Sequence, residues 1–230
     1  MTEFLMSLPL FCLLLTFAAF QLALWCQKKT GSILLNPILI GAVLVGVAIS
    51  LLGIDPATYQ DKTSGISWLL TPGTVCFAVP LYRQLKTLKK NLPAIIAGVA
   101  AGTAVSLLCI LLFCLVFKLD RQLSVSLLPK SITSAMGMVL AEQNGGLPSL
   151  TTVAIIVTGV IGNLAGPFLC KILKITDPIS QGVAYGTASH IIGTAKASQL
   201  DPLTGAVSSL SLVVAGILTA VVFPLLCSII

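Results

Sequence analysis

Two stretches in the second half of the chain combine a titratable side chain with hydroxyls and helix breakers. The first reads Ser126-Leu127-Leu128-Pro129-Lys130-Ser131-Ile132-Thr133-Ser134-Ala135-Met136-Gly137, and the second Tyr185-Gly186-Thr187-Ala188-Ser189-His190-Ile191-Ile192-Gly193-Thr194-Ala195-Lys196. Pro129 removes a backbone donor and disfavours helix at the residue before it, which frees carbonyls near Leu128. The hydroxyls of Ser131, Thr133, Ser134, Thr187, Ser189 and Thr194 can satisfy such backbone or donate to a solute. Half-helix N-termini aimed at the same place would add positive potential and favour an anion. Setting Ser131 against Thr187 brings Thr133 onto Ser189 and Gly137 onto Gly193, a short match that suggests a repeat.

Lys130 is the sharpest single signal. A lysine at the centre of a bilayer costs about 2.5 to 3.5 kcal/mol on insertion scales, so one placed there needs a partner, a wet cavity or a job. The plain alternative is a lysine near the interface that snorkels to phosphate. His190 is the single histidine; neutral it could orient a solute, protonated it could couple transport to protons, and a structural hydrogen-bonding role is the bland reading. Lys196 reads equally well as a loop cation. Glu142 and Asn144 flank Gly145-Gly146 and fit a turn. Asn36-Pro37 reads as another local break: helix capping is the favoured account, and an amide or carbonyl lent to a cavity is the functional one. Gly159, Gly162 and Gly166 fit close helix packing.

The elements that carry these residues belong in lipid. Of 230 residues, 57% are hydrophobic and only 9% charged, against about a quarter charged in soluble domains. So much apolar surface cannot be hidden inside a soluble body of this size. The net charge of +6 does not indicate nucleic acid, because the cations (Lys28, Lys29, Arg83, Lys86, Lys89, Lys90, Lys171, Lys174) cluster at the ends of apolar runs. The seven cysteines lie in or beside apolar stretches without a C-x-x-C pair. They read as small hydrophobes, and neither a disulfide framework nor a metal site is expected. With no acid pair, nucleophile and base spacing or metal cluster, no catalytic residue and no cofactor is expected either, and the chain is not read as an enzyme.

A membrane helix needs about 20 apolar residues. Leu5 to Trp25, Ile33 to Leu52, Leu92 to Phe117, Leu147 to Cys170 and Leu203 to Ile230 qualify. Ile66 to Tyr82, with Pro72, Gly73 and Pro80, reads as a sixth span with a disturbed backbone. The N-terminal run has Glu3 in place of a basic leader and reads as a retained helix. With the lysine clusters inside, the N-terminus falls outside, and the connections near Asp55 to Lys62 and Lys118 to Arg121 are external. Leu123 to Gly146 then starts and finishes outside as a re-entrant hairpin, and Ile179 to Leu200 enters and returns from the cytoplasm. The expected fold is an all-α polytopic membrane protein: about six spanning helices plus two broken segments in an inverted repeat, with a site near the midplane. It forms a single domain over 1–230, made of N-terminal helices 1–91, a helix plus broken segment over 92–147, and an inverted counterpart with the last helix over 148–230.

Leu128-Pro129-Lys130-Ser131-Ile132-Thr133, Gly145-Gly146-Leu147-Pro148-Ser149-Leu150-Thr151, the run from Gly182 through Gly186-Thr187-Ala188-Ser189-His190 to Gly193-Thr194-Ala195, and Gly205-Ala206-x-Ser208-Ser209-Leu210 resemble the LrgB/CidB family. The likeness covers nearly the whole chain from Asn36-Pro37 onward. It departs at Thr133-Ser134-Ala135, where family members often carry Thr-Thr-Pro. The resemblance implies a multi-pass protein of the bacterial inner membrane. It also implies either of two activities: antiholin-like modulation of murein hydrolases and autolysis beside a small holin-like partner, or carriage of small monocarboxylates, as in the related plastid glycolate/glycerate carrier.

The residues themselves favour a carrier of a small organic anion, lined by Lys130, Ser131, Thr133, Ser134, Thr187, Ser189, His190, Thr194 and Asn36. The alternative is a regulator of lysis whose function resides in exposed helix surfaces. A homodimer or higher homo-oligomer is expected, since a body this small needs a partner copy to shelter a moving element.

Overall fold

The structure is a computed structural model that describes residues 9–30, 37–69, 72, 75, 76 and 78–229. Among them it is all helical, with ten helices and no strand. The chain divides into two compact units, residues 1–76 and 77–230.

In the first unit, α1 (Pro9–Thr30) packs on α2 (Pro37–Leu51) and α3 (Pro56–Ser67). The Thr16 and Tyr59 hydroxyls share a hydrogen bond of 2.5 Å between α1 and α3. Helix α3 stands where an outer connection over Asp55 to Lys62 was expected. Asp55 caps it, accepting from the Thr58 N–H at 3.0 Å, and Pro56 takes the first helical position. That pair starts a helix however polar the residues that follow. Asn36 and part of the expected span Ile66 to Tyr82 lie outside the described residues.

The second unit holds α4 (Ala78–Arg83), α5 (Leu85–Val116), α6 (Arg121–Leu127), α7 (Ser134–Gln143), α8 (Pro148–Ile172), α9 (Pro178–Leu200) and α10 (Pro202–Cys227). Lys86, Lys89 and Lys90 lie in the first turns of α5, ahead of the apolar run expected from Leu92. Lysine stems pack along a helix while the ammonium reaches the polar boundary, so the cluster does not end the helix. Helices α1, α5, α8 and α10 are long and apolar enough to cross a membrane. Leu108, Leu112, Val153, Ile161, Val213 and Ile217 are each more than half exposed. Apolar faces of this extent are stable only in hydrocarbon.

Helices α5 and α10 run in parallel, joined by two apolar clusters. One gathers Leu88, Ile95 and Val99 with Ala206, Val207 and Ala215; the other gathers Leu107 and Leu111 with Phe223, Leu226 and Cys227. Between them, α5 and α10 present the small residues Gly102, Thr103, Ser106 and Thr219.

The two expected broken segments fill the rest of the unit. Asp120 caps α6 through the Leu123 N–H, and Arg121 Nη2 donates to the Cys227 carbonyl at the end of α10. The chain leaves α6 at Leu128, turns, and restarts as α7 behind the Thr133 cap. After the turn at Gly145 (φ 85°), the Leu147 N–H donates to Ser126 Oγ at 2.7 Å and Thr151 Oγ1 to the Ser126 carbonyl at 2.9 Å. Residues 127–146 therefore close on themselves beside Ser126.

Helix α9 breaks at His190, with φ 41° and ψ −137°. Before the break, β-carbons added to Gly182 and Gly186 would strike Thr204–Val207 and Ser208–Leu212 of α10. After it, Thr194 Oγ1 shares a hydrogen bond of 2.8 Å with Ser208 Oγ, and Ser198 lies against Gly205. A straight helix would hold residues 182 and 198 about 24 Å apart. Both meet the same first turns of α10, so α9 folds back on itself. Asp177 caps its start, accepting from the Ser180 N–H and hydroxyl at 2.8 Å. These bonds hold its carboxyl below the ordinary range, so the cap persists above that range and is lost as pH falls through the lowered value.

Gly186→Val should destabilise the fold by about 1 to 3 kcal/mol or more, because a β-carbon there meets backbone of α10 that cannot yield. Gly65→Ala, facing open space in α3, should leave thermal unfolding in detergent unchanged or slightly later. Equal behaviour of the two variants would contradict the close approach of α9 and α10.

Candidate functional site

The tips of both folded-back segments reach the middle of α5. At the first tip, Lys130 Nζ donates to Ser131 Oγ at 3.2 Å, and the Ser131 and Ser106 hydroxyls share a hydrogen bond of 2.9 Å. At the second, Thr187 rests against Gly102, where an added β-carbon would lie 3.1 Å from its methyl. One turn earlier Gly98 takes Val183 in the same way, at 3.2 Å. These glycines bring the α9 backbone onto α5.

Along this seam runs a cavity of about 320 Å³, lined by Gly98, Gly102 and Ser106 of α5, Lys130 and Ser131, and Ser180, Val183, Ala184, Thr187 and Ala188 of α9. It extends from the first turn of α9 to the Lys130 ammonium. Behind it an enclosed space of about 10 Å³, room for about one water, is bordered by Thr103, Ser106, Ser131, Thr187 and Thr219. The Thr103 hydroxyl is buried there without a hydrogen-bond partner among the described residues. Among the described residues the one salt bridge joins Lys62 and Asp61, so no carboxylate neutralises Lys130.

The expected site residues thus separate into groups. Lys130, Ser131 and Thr187 line the cavity. Thr133 caps α7, its Oγ1 accepting from the Met136 N–H at 3.4 Å, and Ser134 begins that helix half-buried. Ser189 and His190 face α8 instead: Ser189 fills the space over Gly162, and a β-carbon on Gly159 would lie 2.7 Å from His190 Nε2. His190 Nε2 pairs with the Ile155 carbonyl at 2.8 Å. Thr194 is buried, donating to the His190 carbonyl and bonded to Ser208. Asn163 Nδ2 donates to the Ile192 carbonyl at 3.2 Å and so serves backbone near the break.

The glycines of α8 are therefore the bed for the polar side chains of α9: Gly159 receives His190, Gly162 Ser189 and Gly166 Tyr185. The contribution of α5 escaped the sequence reading. Its signal was available in Gly98-x-x-x-Gly102-x-x-x-Ser106, the spacing of small residues that lets helices approach closely in membranes.

An all-helical integral membrane protein with two interrupted segments meeting at a cationic, hydroxyl-lined cavity is the class this arrangement defines. The model of the LrgB-like family matches residues 16–229, and the chain belongs to that family, a membrane family that is generally not enzymatic. No solved structure matches the chain.

In a chain with its native cysteines replaced, Ser131→Cys should react with a small hydrophilic methanethiosulfonate, while Thr194→Cys, sealed against α10, should stay unmodified until denaturation. Equal protection of both would mean that water does not reach the cavity.

Proposed function

We propose that the protein is a secondary carrier of small organic anions, monocarboxylates of the pyruvate, glycolate and glycerate kind, bound between the tips of its two interrupted segments. The observation that carries this reading is a lysine without a carboxylate partner among the described residues, at the end of a hydroxyl-lined cavity. Lys130 is half-buried, and a cation drawn into an apolar body is costly unless an anion or water compensates it. A carboxylate would take a charge-assisted hydrogen bond from Lys130 and hydroxyl donors from Ser131 and Ser106, while Thr187, whose hydroxyl donates to the Val183 carbonyl, lines the wall. Helix α7 starts four residues after Lys130, and its N-terminal dipole adds positive potential.

In this reading the chain crosses the bacterial inner membrane about six times with its N-terminus outside. The α6–α7 and α9 segments enter from opposite faces as an inverted repeat, and the anion is exposed to each side in turn as one repeat moves against the other. His190, packed on α8 at the break in α9, positions that second segment. The protein works as a homodimer or larger assembly. The second reading, antiholin-like regulation of murein hydrolases and autolysis beside a small holin-like partner, is favoured by the broad exposed apolar faces of α5, α8 and α10 and is compatible with acid transport.

Uptake of labelled pyruvate, glycolate and glycerate into proteoliposomes tests the proposal. Lys130→Ala should lower uptake by at least about tenfold at low substrate, since a hydrogen bond to a charged group contributes about 1.5 to 3 kcal/mol. His190→Ala should lower it at unchanged protein yield. Absence of uptake in the wild type would leave the regulator reading; full activity in both variants would remove Lys130 from the site and the positioning role from His190.

A further inference from the structure

A second cavity lies at the lysine-bearing end of the unit, where α8 passes into α9. Helix α8 ends at Ile172, and Lys174 turns the chain with a left-handed backbone, φ 54°. Lys171 and Lys174 border a space of about 390 Å³ shared with Thr176, Gln181 and Tyr185. Tyr185 is 3% exposed, and among the described residues its hydroxyl has no hydrogen-bond partner. The phenol reaches this position because Gly166 has no side chain: a β-carbon there would lie 2.8 Å from the hydroxyl oxygen.

The carboxylates that follow in the chain are engaged as helix caps. Asp177 caps α9 through Ser180, and Asp201 caps α10 through the Leu203 and Thr204 N–H groups. Neither lysine forms a salt bridge among the described residues. Beside the cationic space, sharing Cys170, Ile175 and Tyr185 with it, runs an apolar groove of about 200 Å³ lined by Leu169, Leu173, Ala184 and Ala188.

We propose that this end of the protein binds one anionic phospholipid, its headgroup phosphate on Lys171, Lys174 and the Tyr185 hydroxyl and one acyl chain in the adjoining groove. A soluble phosphate would fill only the cationic half; a phospholipid matches both halves in charge and polarity. Basic pockets between membrane helices are suited to anionic headgroups. Tyr185 stands one turn from Ser189 and two residues from Thr187, so a bound lipid would brace the first arm of α9, the arm that forms one wall of the Lys130 cavity.

Native mass spectrometry of the full chain, released from detergent after exposure to phosphatidylglycerol, phosphatidylcholine or inorganic phosphate, tests this site independently of transport. The wild type should retain one phosphatidylglycerol, with little phosphatidylcholine and no stabilisation of thermal unfolding by inorganic phosphate. Replacing both lysines, K171Q/K174Q, should weaken retention at least about tenfold, since each basic residue near an anionic surface contributes about 1 kcal/mol. Tyr185→Phe, which keeps the ring and removes only the hydroxyl, should weaken it severalfold. Lys28→Gln with Lys29→Gln, in the first unit, should leave it unchanged. Equal retention of both lipids, or undiminished retention in K171Q/K174Q, would overturn the site; stabilisation by inorganic phosphate equal to that by phosphatidylglycerol would overturn its assignment to a lipid.

Discussion

Wherever a helix stops inside an apolar body, the backbone groups it releases must find partners, because no water competes to solvate them. Two helical segments of this chain stop in that way, and the hydroxyl-bearing residues around them are arranged accordingly. Thr133 takes an N–H of α7, Ser126 and Thr151 tie the closing end of the first segment, Thr194 links the second arm of α9 to Ser208, and Asn163 reaches the Ile192 carbonyl. The same demand explains why small residues recur on α5, α8 and α10. Only a close backbone approach brings short side chains within hydrogen-bonding distance of a break.

Once that demand is met, the polar groups not consumed by the backbone become informative. Among the described residues, Lys130, Ser131 and Ser106 bond to one another but to no carboxylate, and Thr103 stays unsatisfied beside them. His190 is committed to the Ile155 carbonyl, which makes it a part of the hinge in α9 more than a wall of the cavity. The left-handed conformation at His190 costs on the order of 1 to 3 kcal/mol for a side chain other than glycine, and persists because the surrounding contacts with α8 and α10 fix both arms.

Much of this was legible from residue types and spacing. Apolar runs marked α1, α5, α8 and α10, and Pro129 and the glycine-threonine-serine pattern marked the two interrupted segments. Periodicity could not tell that α9 breaks at His190 rather than at a glycine, because the break is imposed by packing on two neighbours. Helix α3 was missed because its start signal, Asp55-Pro56, was outweighed by its polar content. The α5 wall was missed because Gly98, Gly102 and Ser106 lie inside a run that reads as plain lipid-spanning helix, and their significance appears only when Thr187 and Ser131 are set against them.

One mid-helix stretch of α5 touches the tips of both interrupted segments. In membranes containing a chain without its native cysteines, the pairs Ser106→Cys with Ser131→Cys and Gly102→Cys with Thr187→Cys sample the two contacts, and mild oxidation reads them out as disulfides. Both pairs should link efficiently. Linkage of only one pair, or of neither, would mean that the two tips do not meet at α5 and that the cavity between them does not exist.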